Sequence, residues 1–269
     1  MNLKTLRQFV ILFGAFFLIW FALSRIEFIK PETTEKLSKQ KEETLGKLFI
    51  DQVLSQNDTC RTDSVVYTIR NLMKHLCRSN NIDTQSIQLH LIHHSEINAY
   101  ALPGRHIVLH SALVQYCNNP EELTAVLAHE VAHIEKNHVM KKLTREVGIA
   151  LLTAVISGGN NGEIVGEMVH TLSSNHYSRE LESEADATAI KYLVQAGVNP
   201  LGLSDFLFRL SKDQDQLISI PWISTHPESN KRVAEILELS QTEQYTEQAI
   251  IDSVAWASIK NMLATETEY

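Results

Sequence analysis

The hydrophobic pattern changes character along the chain, and each change predicts an element. Residues 9–23 are apolar without interruption, with Lys4 and Arg7 before them and Arg25 and Lys30 after. Every face of such a stretch is apolar, so it is expected to enter a membrane rather than to lay one stripe on a core. The run reaches the top of the signal-peptide range of about 7–15 residues and falls short of the roughly 17–20 of a spanning helix. Two readings fit: an uncleaved anchor lengthened by snorkelling Lys4, Arg7 and Arg25, or a cleaved signal with Ala22 and Ser24 before the cut. The excess positive charge on the leading side keeps residues 1–8 in the cytoplasm. The rest is then expected on the non-cytoplasmic side of a membrane, with the periplasm as its place.

Beyond a Glu/Lys/Thr-rich stretch at 31–45, expected as a linker or a solvated helix, the period becomes helical at 45–56 and 62–78. It then shortens to two. IQLHLIHH at 87–94 alternates apolar and polar as a half-buried strand does, and 98–102 and 107–110 predict two further strands around the Pro103-Gly104 turn. Asn119 is placed as an N-cap, with Pro120 at the first helical position and Glu121 and Glu122 in the first turn, so a helix is predicted from there to His138. Further helices are predicted at 140–156, from about 162 to a terminal glycine at 197, and at 201–210, 227–239 and 248–263. The polar stretch 211–221 is expected to be a mobile connection. This pattern predicts one α+β domain, mostly helical, with a small β-sheet and an N-terminal apolar helix.

Composition narrows the classes. A formal charge of -8, with no clustered Lys/Arg stripe, argues against a nucleic-acid partner. Three cysteines, Cys60, Cys77 and Cys117, make no metal motif. With one helix between Cys60 and Cys77 the two stand roughly 20 Å apart, which excludes a bond between them and leaves only a pairing that involves Cys117.

The predicted helix at 119–138 carries HEVAH at 129–133. Two histidines at i and i+4 project from one face about 5–6 Å apart, so His129 and His133 can grip one small cation while Glu130 stands beside it as a proton acceptor. Leu123, Leu127, Val131 and Ile134 centre the buried stripe of this helix, and Glu130 falls inside it. A buried glutamate needs a reason. Catalytic zinc takes three protein ligands and keeps one position for water, so a third ligand is expected downstream, in SRELESEAD at 178–186. On a helical wheel Leu181, Ala185, Ala189, Tyr192 and Leu193 form the apolar arc. Glu182 and Asp186 lie in or beside it, whereas Glu184 lies opposite with Lys191 and Gln195. Glu182 is therefore the expected ligand, and Asp186 the acceptor that fixes a ligating histidine's tautomer.

HEVAH with His138 beyond it, then SRELESEAD, then THPESNKR at 225–232, resembles the zinc peptidases typified by HtpX, BepA, Oma and the Ste-type CAAX prenyl protease. In that family the first acid of the downstream motif is a ligand, which falls on Glu182, with Asp186 closing the motif. The resemblance implies that Arg179 and His226 assist the transition state or approach the metal. It also implies that 98–104, with Asn98, Ala99, Tyr100 and Ala101, is the edge strand along which an extended substrate pairs. On this basis the chain divides into an anchor or signal segment at 1–30, a linker with helices at 31–86, a zinc metallopeptidase domain at 87–240 and a helical tail at 241–269. The other histidines, His93, His94, His106 and His110 among them, are expected as surface or hydrogen-bonded residues, and His138 as structural.

The expectation that follows is a metalloendopeptidase with one Zn2+ per chain, acting on protein or peptide substrates and held to a membrane by its N-terminal segment. Removal of misfolded or misassembled envelope proteins is the role the resemblance implies. Glu130 would take the proton from water, and His226 or Arg179 would steady the oxyanion. His226, expected at the start of the 227–239 helix, could instead close the site as a fourth ligand. The rival reading is a zinc-stabilised chaperone or assembly factor that binds clients along the same edge strand with little proteolysis.

Overall fold

The computed structural model describes residues 38–158, 162–213, 230–242, 245–248 and 250–266, together with Phe13, Trp222, Thr225 and His226. The apolar segment at 9–23, Phe13 apart, lies outside the described residues. No helix among the described residues is long and apolar enough to cross a membrane.

From Ser38 onward the chain forms one compact unit, predominantly helical with a three-stranded sheet. Helices α1 (Lys39–Gln56) and α2 (Asp63–Ser79) precede the sheet, so part of the expected linker belongs to α1. Strands β1 (Gln88–Ile92), β2 (Ala99–Leu102) and β3 (His106–His110) stand in the order β1-β3-β2. β3 runs parallel to β1, with Leu89 opposite Ile107, and antiparallel to β2, with Ala101 opposite Ile107. β2 is thus an edge strand of the sheet, and all four of its residues are buried. The turn between β2 and β3 passes so close to α1 that a Cβ on Gly46 would meet the Pro103 carbonyl oxygen at 2.3 Å, so only glycine fits at that position.

After the short α3 (Ser111–Tyr116) comes α4 (Pro120–Glu135), the central helix. Asn119 Oδ1 accepts from the Glu122 N–H at 2.8 Å, and Glu122 Oε2 accepts from the Asn118 N–H at 2.7 Å, a reciprocal cap that fixes where the helix begins. Every residue from Glu122 through His133 is buried. Burial on all faces replaces the single stripe that periodicity suggested, because α4 packs on α8 and α9 as well as against β2.

Three predicted helices are interrupted. α4 stops at Glu135, because Asn137 adopts a left-handed conformation (φ 58) that asparagine tolerates, and α5 (His138–Glu146) starts in a new direction. Gly148 at φ +85 separates α5 from α6 (Ile149–Ile156), so the predicted 140–156 helix is two. The predicted helix from 162 to 197 is likewise two, α7 (Gly162–Ser174) and α8 (Arg179–Gln195), parted by an extended stretch in which the Tyr177 N–H donates to the Thr225 carbonyl at 3.1 Å. α9 (Leu201–Asp213), α10 (Asn230–Thr242) and α11 (Ser253–Glu266) complete the unit. Of the stretch 211–221, expected to be mobile, 211–213 belong to α9 and 214–221 lie outside the described residues. The core gathers Ile69, Leu76, Leu109, Leu113, Leu127, Leu193, Phe206 and Trp222, all essentially inaccessible.

Candidate metal centre

HEVAH lies in the last two turns of α4, and the helical spacing does what it promised. His129 Nε2 and His133 Nε2 stand 3.0 Å apart, with ring centroids 4.6 Å apart. α8 packs along α4 and brings Glu182 to the same point, with its carboxylate oxygens 3.5 Å from each of these nitrogens. His226 Nδ1 completes the group, 3.2 Å from His129 Nε2 and 3.0 Å from Glu182 Oε1. One donor atom from each of the four residues lies within 4.8 Å of every other, and all four side chains are fully buried. Lone pairs crowded this closely in a dry interior suit a small cation, and two to three imidazoles with one carboxylate is a donor set that zinc accepts.

Each donor is held from behind. Asp186 Oδ1 is 3.0 Å from His129 Nδ1, and Arg232 forks onto Asp186 with bonds of 2.7 and 2.8 Å. Arg232 Nη1 also lies 2.9 Å from Glu182 Oε2 and donates to the His226 carbonyl at 3.2 Å. His133 Nδ1 faces His138 Nδ1 at 3.0 Å, and His138 Nε2 lies 3.2 Å from Glu184 Oε2. His138 is not turned away, as a helix continuing to it would require, because the left-handed Asn137 folds it back beneath His133. Glu184 itself is exposed and bonds Lys136, as its place on the wheel required. Tyr177, in the break between α7 and α8, stacks on His133 at 4.1 Å, and Trp222 stacks on His226 at 4.7 Å.

One expected residue is placed otherwise. Arg179 opens α8 in an exposed position, and no described contact joins it to the cluster. The guanidinium at the site is that of Arg232, which sequence reasoning passed over; its place six residues after His226 in THPESNKR was the available signal. The helix start expected directly after His226 falls at 227–229, outside the described residues. The His226 N–H donates to the Trp222 carbonyl at 2.9 Å, so it ends a helical turn that includes Trp222 and Thr225.

Glu130 lies in the same buried pocket, and among the described residues neither of its carboxyl oxygens makes a well-formed hydrogen bond; the Ala101 backbone lies close by, and His226 Nε2 is 3.4 Å from its Oε1. Burial pushes the Glu130 carboxyl up to about 8, against the pull of His129 and of the nearby Ala101 backbone. That proximity also places β2 beside Glu130. Burial alone would lower His129, but Asp186 and Glu182 hold it up to about 9, while burial and His129 drive His133 well below its usual range. Burial takes His226 down to about 4 despite Glu182. Burial would raise Glu182, yet His226 and His129 keep it well below the ordinary carboxylate range. Nearby, buried Lys142 donates to the carbonyls of Leu172 and Asn175, which ties α5 to the end of α7.

The other histidines mostly follow the plain expectation. His106 Nδ1 pairs with His90 Nε2 at 3.0 Å and His110 with the Glu96 carbonyl at 3.1 Å. All three cysteines are free and buried, so none is bridged.

A helix bearing HEVAH, an acid from a later helix and a buried glutamate beside them make up a candidate metal centre. The sequence profile of Peptidase family M48 matches residues 66–240, and the chain belongs to that family of zinc metallopeptidases. It is 28% identical over 216 residues to the Beta-barrel assembly-enhancing protease of Yersinia pestis, covering 74% of this chain and 44% of that protein. It is 27% identical over 173 residues to the Mitochondrial metalloendopeptidase OMA1 of Schizosaccharomyces pombe (63% and 51%). To the Metalloprotease LoiP of Escherichia coli it is 28% identical over 163 residues (58% and 64%). The chain thus spans about half the length of these relatives.

Proposed function

We propose that this chain is a zinc-dependent metalloendopeptidase in which His129, His133 and Glu182 hold the metal and Glu130 is the general base. The observation that carries this reading is the Glu130 carboxyl, fully buried and without a well-formed hydrogen bond among the described residues, beside four convergent donors. An unpaired buried carboxylate costs several kcal/mol and persists where chemistry uses it. Bound zinc would supply Lewis acidity to the scissile carbonyl and lower the pKa of water.

The side chains divide the remaining work. Glu130 takes the proton of the attacking water on a carboxylate oxygen and returns it to the leaving amine nitrogen. A carboxyl raised toward neutrality suits both halves of that transfer. Asp186 accepts the Nδ1 proton of His129 and so keeps the Nε2 lone pair turned to the cation, while Arg232 prevents Asp186 from taking that proton. β2, an edge strand whose Ala101 backbone lies near Glu130, is the segment along which an extended peptide would pair, through Asn98, Ala99, Tyr100 and Ala101. His226 acts as a gate: its place among the donors and beside Glu130 supports a closed resting state, and the exposed position of Arg179 supports leaving the oxyanion to other groups. The relatives' names, an assembly-enhancing protease among them, support unfolded or misassembled envelope proteins as substrates. The apolar run at 9–23 supports attachment to, or export across, the membrane that borders them.

The test is hydrolysis of an unfolded protein by the full chain, with zinc, with chelator, and with zinc restored. Cleavage that chelation stops and zinc restores is expected, with a faster rate in His226→Ala. Cleavage indifferent to chelation would overturn the proposal, and a rate unchanged in His226→Ala would overturn the gate.

A further inference from the structure

A second cluster of metal-binding side chains lies far along the chain from the first. Cys60, His93 and Glu266 each present one donor atom, and the three atoms lie within 4.8 Å of one another. They come from segments that only tertiary structure joins. Cys60 follows α1, and its N–H donates to the Leu91 carbonyl at 3.0 Å; the His93 N–H donates to the Asp58 carbonyl at 2.7 Å, and Thr59 bridges Ile92. This short zipper lays Cys60 beside the end of β1. Glu266 arrives on the last turn of α11, which docks on α2 and α3.

Part of the arrangement has a plain explanation. The Glu266 carboxylate accepts from the Arg61 N–H at 2.7 Å and from Thr62 Oγ1 at 2.6 Å, and so ties down the two residues that lead into α2. That anchoring does not account for the other two residues. Cys60 Sγ lies against the same carboxylate at 3.0 Å, where burial and then Glu266 push the thiol up to about 12, so it keeps its proton until a cation displaces it. Both ring nitrogens of His93 are shut off from solvent, and among the described residues neither makes a well-formed hydrogen bond; Nε2 leans on Glu266 Oε1 at 3.4 Å, and Nδ1 faces no partner. A neutral imidazole always carries a lone pair on one nitrogen that seeks a donor or a cation.

We propose that Cys60, His93 and Glu266 form a second metal site, for a zinc-like divalent cation, that staples α11 to the start of α2 and the end of β1. The donor set selects the ion: a thiolate with an imidazole favours zinc and its soft neighbours over magnesium or calcium. The spacing fits, since ligand atoms around a tetrahedral zinc stand about 3.3–3.8 Å apart. On binding, the Cys60 S–H bond breaks, its proton leaves to solvent, and a sulfur–metal bond forms; the Glu266 oxygen that accepted that proton turns to the cation. Water takes the fourth position, on the side where the side chains of His93 and Glu266 keep 16% and 21% of their exposure.

The test uses the full-length chain, stripped of metal and loaded with Co2+. Two ions per chain are expected, one of them giving the sulfur-to-cobalt charge-transfer band that only a thiolate ligand produces. Cys60→Ser should bind one ion, lose that band and still cleave unfolded protein at the wild-type rate. His93→Asn provides a second variant, which should weaken the band while leaving the circular dichroism spectrum unchanged. Glu182→Gln should keep the band while losing the other ion, so the two sites succeed or fail separately. Folded, cobalt-loaded protein without a thiolate band, or Cys60→Ser with an unaltered count and spectrum, would overturn the proposal.

Discussion

The centre at His129 and the cluster at Cys60 each combine imidazole with carboxylate, yet they are held in opposite ways. Around His129 the donors are fully buried and backed: Asp186 behind His129, His138 behind His133, and Arg232 behind Asp186 and Glu182. At Cys60 two of the three side chains are partly exposed, no second residue orients His93 from behind among the described residues, and the carboxylate also holds Arg61 and Thr62. Backed donors are oriented before any ligand arrives, which chemistry demands; unbacked ones are brought together only by the docking of a helix, which suffices for a cross-link. The difference separates a site that positions reacting atoms from a site that joins segments.

The sharpest way to break this comparison is Glu182→Gln. It removes the only acid among the four donors, and loss of the bound ion together with all proteolysis is expected, with the ion at Cys60 retained. Metal analysis of the purified variant decides it, and retained zinc at one equivalent beyond the Cys60 site would contradict the assignment. Next comes Arg232→Met, which strands Asp186 in the interior. Breaking a buried pair of this kind costs about 3–5 kcal/mol, read as a lowered urea midpoint; a change within error would show that the network behind the donors carries no stability. A smaller effect is expected from His138→Ala, which leaves His133 oriented by the helix and by Tyr177 alone. Competition against a chelator should show metal held about 10- to 100-fold more weakly, and unaltered affinity would reduce His138 to packing. Smallest are Glu184→Gln and Arg179→Ala, both on the exposed side of α8. Neither should change metal content, and each should shift stability by no more than about 1 kcal/mol; a zinc-free Glu184→Gln would reverse the choice between the two acids.

Where the determinants were local, the sequence carried them. The i, i+4 histidines, the Asn119 cap and the arc that separates Glu182 from Glu184 all depend on helical geometry within a few residues. The three strands emerged close to their ends for the same reason, since alternation and the Pro103-Gly104 turn act over short range. The errors fall where tertiary packing overrode local preference. Periodicity runs through Asn137, Gly148 and 175–178, yet the chain breaks at each, and two of these breaks deliver His138 and Tyr177 to the centre. Arg232 was hidden because nothing near it in sequence shows which acid it meets. The Cys60 cluster was illegible altogether, since Cys60 and Glu266 are 206 residues apart.

The central claim is that Glu130 is kept buried without a well-formed hydrogen bond because it moves a proton, and Glu130→Gln tests it most directly. The amide has the same shape but cannot accept the proton of water. Zinc content and cleavage of an unfolded protein should be measured on one preparation of each form. The account expects wild-type zinc in the variant and a rate lower by at least about 10²-fold. Proteolysis at the wild-type rate in zinc-replete Glu130→Gln would contradict it.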